Sequence, residues 1–336
     1  MTEKKIQFSR QKVSLHFGGS FSQLKDLVPK KNTVLITDEH LFQLHGNKFK
    51  GWQTIVIKAG EQHKVQATVD HVINQLIERK ANRQTVLVGI GGGVITDLTG
   101  YIASVFMRGI AFGFVPTSIL AMVDASIGGK NGIDVGAYKN MVGCINQPNF
   151  LLYDASLLKT LPDGEWRNGF AEIIKHAAIR DLSMFRQLEK ADLKFYQKNK
   201  DGLEKLIRRN ALLKCSVVQD DEFEKNIRRL LNFGHTLAHA IETPHGLPHG
   251  HAVSIGMVFA AKLSAQRIGF KGAERLQQLI AQYGLPIHLD YDREQTFSLL
   301  TSDKKKEGAE MNFVLLEKLG KAVIQKIELN TIYNYL

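Results

Sequence analysis

The stretch TVLVGIGGGVITDLTGYIASVFMRG (residues 85–109) decides the fold. Val86 to Ile90 form an unbroken apolar run, as a strand covered on both faces requires. The run leads directly into Gly91-Gly92-Gly93, and a helix is predicted from about Val94 to Met107. Glycines at a strand-to-helix turn let backbone N–H groups approach a pyrophosphate, and the helix N-terminus favours its negative charge. The spacing is GxGGGxxxD, ending at Asp97, and not the GxGxxG fingerprint; a tight turn without a ligand would read the same way. At the far end, Met107-Arg108-Gly109 reads as a helix terminus, with Arg108 complementing the dipole and Gly109 at C′.

On either side of this turn the pattern is α/β. Residues 12–17, 33–37 (TVLIT) and 54–58 (TIVIK) are predicted strands. The second ends at Asp38, where a carboxylate suits either a ribose or a turn. GEQHK (60–64) follows the third, and Val65, Val69, Val72, Ile73, Leu76 and Ile77 then repeat at helical period. After the glycine turn, IAFGFVPTS (110–118) is a strand ending in Pro116-Thr117-Ser118. VDASIGGKNGIDVGAYKNMVG (123–143) reads as a glycine-rich loop carrying Asp124, Lys130, Lys139 and Asn140. Lysines in such a loop suggest anion binding, or a solvated surface.

From Pro162 the pattern becomes mostly helical. In GFAEIIKHA (169–177), Glu172, Lys175 and His176 share a face among Ile and Ala, so the charges are paired or used. Helices are predicted at about 183–195 and 201–219, the second carrying Lys214. EKNIRRLLNFGHTLAHAIETPHGLPHGHAV (224–253) holds five histidines. His235 and His239 share a helix face, and Asn232 and Arg228 extend the same polar stripe. Pro244, Gly246 and Pro248 break that helix, and His249 and His251 stand at the mouth of a second one, Val253 to Ala265. Two helices joined by a tight break can aim His235 and His249 at one point, as in a zinc site; partly solvated helix-end histidines would look alike. Residues 303–329 read as a basic loop followed by two strands.

Composition narrows the class. The chain has 336 residues, enough for two domains, with 44% hydrophobic and 23% charged residues. Its net charge of +11 is spread without a long basic run or interleaved aromatics, which fits a pocket for a phosphorylated, carboxylated metabolite better than nucleic acid. Only Cys144 and Cys215 occur, so neither a disulfide framework nor a thiolate metal site is expected. MTEKKIQFSRQK lacks the apolar core of a signal peptide, and no apolar run reaches a membrane-spanning length. A cytoplasmic protein with no membrane partner is expected.

GGGVITDLTG, VPTSIL, DASIGGKNGI, KNMVG, GFAEIIKHA, LLNFGHTLAHAIE and HGHAVSIGM, in this order and spacing, closely resemble the 3-dehydroquinate synthases of the sugar-phosphate cyclase family. The resemblance runs from about Asp38 to Lys305. It implies an α/β, Rossmann-like NAD-binding domain at 1–158 and a mainly α-helical metal- and substrate-binding domain at 159–336. The activity it implies is conversion of 3-deoxy-D-arabino-heptulosonate 7-phosphate to 3-dehydroquinate plus phosphate. The implied course is oxidation by NAD, phosphate elimination, reduction and intramolecular aldol closure, with NAD regenerated at each turnover.

The resemblance also assigns residues. Glu172, His235 and His249 would hold Zn2+ (or Co2+), and Gly91, Gly92 and Gly93 would carry the NAD pyrophosphate. Asp38, Glu61, Lys64, Asp97, Thr117, Ser118 and Thr160 would be further NAD contacts. Asp124, Lys130, Asn140, Lys175, Lys214, Glu224, Arg228, Asn232 and His239 would surround the substrate, with Lys130 and Lys139 near the cofactor as well. The phosphate would meet Lys130, His239, Lys304 or Lys305, and Arg108 from a second subunit, which makes the protein a homodimer. Three features depart from the family pattern. Ser118 replaces a threonine, the loop joining the histidine-bearing helices is short, and His251 replaces the glutamate of HGEAV, leaving His249 and His251 as rival ligands. The alternatives are a metal- and NAD-dependent polyol dehydrogenase, or a cyclase whose substrate lacks a carboxylate; Arg228 with Asn232 argues against the latter.

Overall fold

A computed structural model describes residues 1–136, 138–302 and 310–336. The chain packs as two compact units, Met1–Pro162 with Lys200–Phe223, and Asp163–Asn199 with Glu224–Leu336.

The first unit is built on β1 (Thr2–Gln7), β2 (Lys12–Phe17), β3 (Thr33–Asp38), β4 (Gln53–Ile57), β5 (Val86–Gly91), β6 (Phe112–Pro116), β7 (Lys130–Val135), β8 (Tyr138–Ile145) and β9 (Phe150–Leu152). Seven of them form one sheet in the order β1-β2-β9-β6-β5-β3-β4. All neighbours are parallel except β1 and β2. The apolar runs read from the sequence are its inner strands. Leu35, Ile36, Leu87, Val88 and Ile90 are wholly buried, and each such side chain contributes about 1.5–3 kcal/mol through removal from water. β1 was not legible as a strand: of TEKKIQ only Ile6 is buried, as befits an antiparallel edge.

Strand order explains where ligands can enter. From β3 the chain moves to β4 on one side, then returns to β5 on the other and continues to β6 and β9. The winding reverses between β3 and β5, so their connections diverge and leave a crevice at the strands' carboxyl ends. Asp38 ends β3, Gly91 ends β5, and Thr117 follows the end of β6.

Two predicted elements take other forms here. The supposed glycine-rich loop of 123–143 is a single π-helical turn, Ala121–Ala125, followed by the antiparallel hairpin β7–β8. The glycines serve close packing: a Cβ on Gly132 or Gly143 would collide with the facing strand's backbone. The helix after the glycine turn spans Gly93–Val105, shorter than predicted, and a 3-10 turn, Phe106–Arg108, follows it. Met107 and Arg108 both adopt positive φ (50° and 66°), so Arg108 leaves the chain in a strained turn and not on the last turn of an α-helix.

The second unit surrounds the helix Asp163–Arg180, which is buried on nearly every side from Trp166 to Ile179. Phe170 stacks on Tyr283 at 5.1 Å and meets Tyr196 at 5.4 Å, fixing this helix just before Glu172. The remainder includes helices His235–Glu242, His249–Ile268 and Ala273–Gln282, and the hairpin β10 (Glu310–Lys318) and β11 (Lys321–Glu328). This hairpin answers the two strands predicted around Lys318-Leu319-Gly320. The helix Lys200–Asp220 belongs to the first unit, although it follows helices of the second in the chain. Among the described residues no helix is long and apolar enough to cross a membrane.

Candidate metal centre and nucleotide-binding turn

In the first unit, the glycine turn is shaped by packing and left open by chemistry. A Cβ on Gly91 would collide with Ile95, whereas one on Gly92 would meet only Ser118 Oγ at 3.5 Å. Gly92 is the N-cap of the helix, and no side chain caps it. The backbone N–H groups that a capping side chain would occupy are those that suit a pyrophosphate. Thr117 N donates to Gly91 O at 2.9 Å, and Ser118 Oγ accepts from Ala121 N at 3.2 Å. Both hydroxyl residues, which are buried, are thus held at the turn.

Around the turn, several expected nucleotide contacts touch one another. Lys64 is buried; its Nζ lies 2.6 Å from Asp97 Oδ2, 2.6 Å from Asn140 Oδ1 and 3.9 Å from Glu61 Oε1. Burial pushes the Asp97 carboxyl up, against the Lys64 ammonium; burial works to lower Lys64, but Asp97 and Glu61 outweigh it and raise it. Asp134, unmarked in the sequence, ties the hairpin to this lysine. Its N–H donates to Lys64 O at 2.8 Å, and its Oδ1 accepts from Asn140 N at 2.7 Å. Asp38 Oδ1 accepts from Leu41 N at 2.8 Å, capping helix Glu39–Phe49. Exposed Thr160 pairs its hydroxyl with His45 Nε2 at 2.9 Å.

The π-helical turn carries Asp124, and such turns recur at functional sites. Lys214 Nζ reaches Asp124 Oδ1 at 2.7 Å and donates to Asp124 O at 2.8 Å. Lys130, Lys139 and Arg108 are exposed on the same unit. Among the described residues five non-glycine positions have positive φ, and three of them, Arg108, Asn140 and Glu224, are residues the sequence nominates. Strain kept at such positions marks places where side-chain direction matters more than backbone comfort.

In the second unit, Glu172, His235 and His249 converge, with ligand atoms all within 4.8 Å of one another. His249 Nε2 lies 3.3 Å and His235 Nε2 3.5 Å from Glu172 Oε1, while Lys175 Nζ contacts Glu172 Oε2. The rings of His235 and His249 lie 5.4 Å apart at 61°. Glycines bring the three elements together. Gly250 presses on the backbone of Asn168, on the helix that carries Glu172, and its N–H donates to Asn168 Oδ1 at 3.2 Å. Gly256 lies against Gly234 O so closely that a Cβ could not fit.

Gly234 also corrects the predicted polar stripe. Arg228 and Asn232 lie on a 3-10 turn, Ile227–Asn232, and the helix restarts at His235 after Gly234 turns left-handed (φ 82°). Arg228 is buried on that turn, and Asn232 Nδ2 donates to Glu224 Oε1 at 2.9 Å. His239 is exposed, its ring 5.6 Å from that of His235. His249 is the first residue of its helix, which begins four residues earlier than predicted. His251 joins no group of potential metal ligands among the described residues. Lys304 and Lys305 lie outside the described residues.

A carboxylate with no exposed surface is stable only when its charge is answered. Burial tends to lower His249, but hydrogen bonds to Glu172 and Glu242 prevail and lift it to about 9. Burial and then Lys175 hold His235 well below the usual imidazole range. One carboxylate and two imidazoles with ligand atoms this close could hold a metal ion, and their chemistry fits the donor set of a catalytic zinc or cobalt site. Sequence reasoning passed over Glu242, whose Oε2 lies 3.4 Å from His249 Nδ1.

Comparison with known proteins gives both halves the same relatives. Residues 54–168 match the 3-dehydroquinate synthase N-terminal family and residues 169–306 the 3-dehydroquinate synthase C-terminal family. A 3-dehydroquinate synthase of Dehalococcoides mccartyi (strain CBDB1) is 39% identical, over 90% of this chain and 88% of its own length. One from Dictyoglomus thermophilum is 35% identical, over 98% and 96%. Among solved structures, a 2-deoxy-scyllo-inosose synthase complexed with carbaglucose-6-phosphate, NAD+ and Co2+ superposes with a TM-score of 0.87 at 25% identity, covering 99% of both chains.

Proposed function

From the premise that the chain belongs to the 3-dehydroquinate synthase family, whose members are phosphate-eliminating cyclases, we propose how its residues divide the work. The substrate is 3-deoxy-D-arabino-heptulosonate 7-phosphate, and the products are 3-dehydroquinate and phosphate. The observation that carries the reading is the buried convergence of Glu172, His235 and His249. When bound, NAD supplies reversible oxidation of a secondary alcohol, and Zn2+ or Co2+ supplies polarisation of its oxygen.

NAD is held at Gly91, Gly92 and Gly93, with Asp38, Glu61, Lys64, Asp97, Thr117, Ser118, Lys130, Lys139 and Thr160 around it. The support is the uncapped helix N-terminus at the point where strand order reverses. The 1–158 region is the NAD-binding domain in this reading, and 159–336 the metal- and substrate-binding domain.

Glu172, His235 and His249 hold the metal, and Lys175 sets its ammonium against the buried Glu172. Arg228 takes the substrate carboxylate by paired N–H donation, which suits a planar guanidinium. Its neighbour Asn232 is steadied by Glu224. Lys214, directed by Asp124, offers an ammonium to substrate oxygens, with Asn140 beside them. Lys130 and His239 meet the phosphate end, where Arg108 of a second subunit completes the charge, so the protein acts as a homodimer. It works in the cytoplasm, a reading supported by two cysteines that both remain thiols.

A coupled assay tests the reading. Purified protein with NAD, Zn2+ and the heptulosonate phosphate should release phosphate with no net NADH. NADH accumulating in step with substrate loss would instead make the protein a dehydrogenase. Fractionation of cells would test the compartment.

A further inference from the structure

Glu242 is a buried carboxylate for which the mechanism above has no use. It is the last residue of helix His235–Glu242, and its place is fixed by the turn that follows. Leu247 N donates to Glu242 O at 2.9 Å, and His245 N to Ile241 O at 3.3 Å. The chain therefore doubles back on the helix end, and His249 arrives beside Glu242, with Nδ1 3.4 Å from Oε2. The other ring nitrogen, Nε2, is 3.3 Å from Glu172 Oε1. His235 repeats the device with a different acceptor: its Nδ1 lies 3.3 Å from Phe233 O, and its Nε2 faces Glu172.

An imidazole binds a metal through a nitrogen lone pair, so the proton must sit on the other nitrogen. An acceptor at Nδ1 selects that tautomer and fixes the ring plane. A carboxylate acceptor also makes the ligand nitrogen more basic than a carbonyl would. We propose that Glu242 is a positioning residue for His249, holding it as the Nδ1–H tautomer so that Nε2 is presented beside Glu172 and His235. The inference rests on the ligand assignment above.

The test is Zn2+ affinity of the full-length protein, measured by chelator competition for wild type, Glu242→Ala, Glu242→Gln and His249→Ala. Tautomers are read in parallel from ring-nitrogen NMR of His249 in the metal-free proteins, at a pH high enough to leave the ring neutral. His249→Ala should lose tight Zn2+ binding. Glu242→Ala should weaken it about 100-fold and Glu242→Gln, which keeps an acceptor but not the charge, about 10-fold. Wild type should show Nδ1–H at His249, and Glu242→Ala a mixture of tautomers. If Glu242→Ala fails to fold, Glu242→Gln decides by the same affinity measurement. Unchanged affinity in a folded Glu242 variant while His249→Ala loses the metal overturns the inference. So does a lowered melting temperature in Glu242→Ala with the His249 tautomer unaltered, because Glu242 would then act only on the fold. Wild-type affinity in His249→Ala overturns the ligand assignment instead.

Discussion

Asp97 in the first unit and Glu172 in the second both sit on helices beside a buried lysine, Lys64 and Lys175 respectively. Around the first pair, Asn140 and Glu61 approach Lys64, and hairpin residue Asp134 locks Asn140 in turn. Around the second, two imidazole Nε2 atoms also approach the carboxylate. Lys64–Asp97 is an ion pair in which each charge answers the other, with Asp97 on the helix that follows the glycine turn. Glu172 faces two imidazole nitrogens, each of which presents a proton or a lone pair according to its protonation, so the same position suits a proton or a metal cation. Similar buried pairs thus serve different ends, and what lies on the far side of the carboxylate decides which.

The largest expected effect is at the second pair. Glu172→Ala, His235→Ala and His249→Ala should each abolish activity and tight zinc binding, read by metal analysis after dialysis, while His251→Ala keeps both. Metal retained by His249→Ala and lost by His251→Ala would transfer the ligand role two residues along the helix.

Next, Lys64→Ala leaves Asp97 without its ammonium and should lower unfolding free energy by about 3–5 kcal/mol in denaturant titration. Lys175→Ala should also destabilise the metal-free protein. Zinc should recover that stability for Lys175→Ala and leave Lys64→Ala unrescued. Equal rescue of both would erase the distinction drawn between the two pairs.

A smaller effect separates neighbouring glycines at the turn. Gly91→Ala forces a methyl into Ile95 and should lower stability by about 1–3 kcal/mol, the usual cost of overpacking. Gly92→Ala has room, so its melting temperature should change less, while the KM for NAD rises because the methyl stands where a pyrophosphate would approach. An unchanged KM would remove the ligand from this turn.

The smallest signal concerns Arg108. Arg108→Ala and Lys175→Ala should each be inactive alone. Subunit exchange between them should return about a quarter of wild-type activity if Arg108 serves a neighbouring site, since about half the dimers are mixed and half their sites are whole. No recovery, with exchange verified, would assign the strained turn at Met107-Arg108 to the fold alone.

Much of this was legible in the sequence because it is local. Apolar runs specify buried strands, glycines mark a strand-to-helix turn, and GFAEIIKHA and HGHAV carry residues of the candidate metal centre in contiguous strings. Other parts escaped for identifiable reasons. β1 is a charged edge with a single buried residue, so it has no alternation to read. The hairpin β7–β8 looked like a loop because its glycines allow backbones to approach and show no strand propensity. The stripe through Arg228 and His239 followed helical spacing, but the contact of Gly234 with the helix His249–Ile268 requires a left-handed residue at that point.

The sequence by itself determined which chemical groups are present, the strand–glycine–helix turn and the family, since these depend on residues near one another in the chain. Tertiary structure alone decided the pairings. It brought Lys214 to Asp124, tied Asn140 to Lys64 through Asp134, and placed Glu242 behind His249. Each of these joins residues on different elements. Whether a buried charge is closed by a partner or left facing a cation depends on distances that no spacing along the chain encodes.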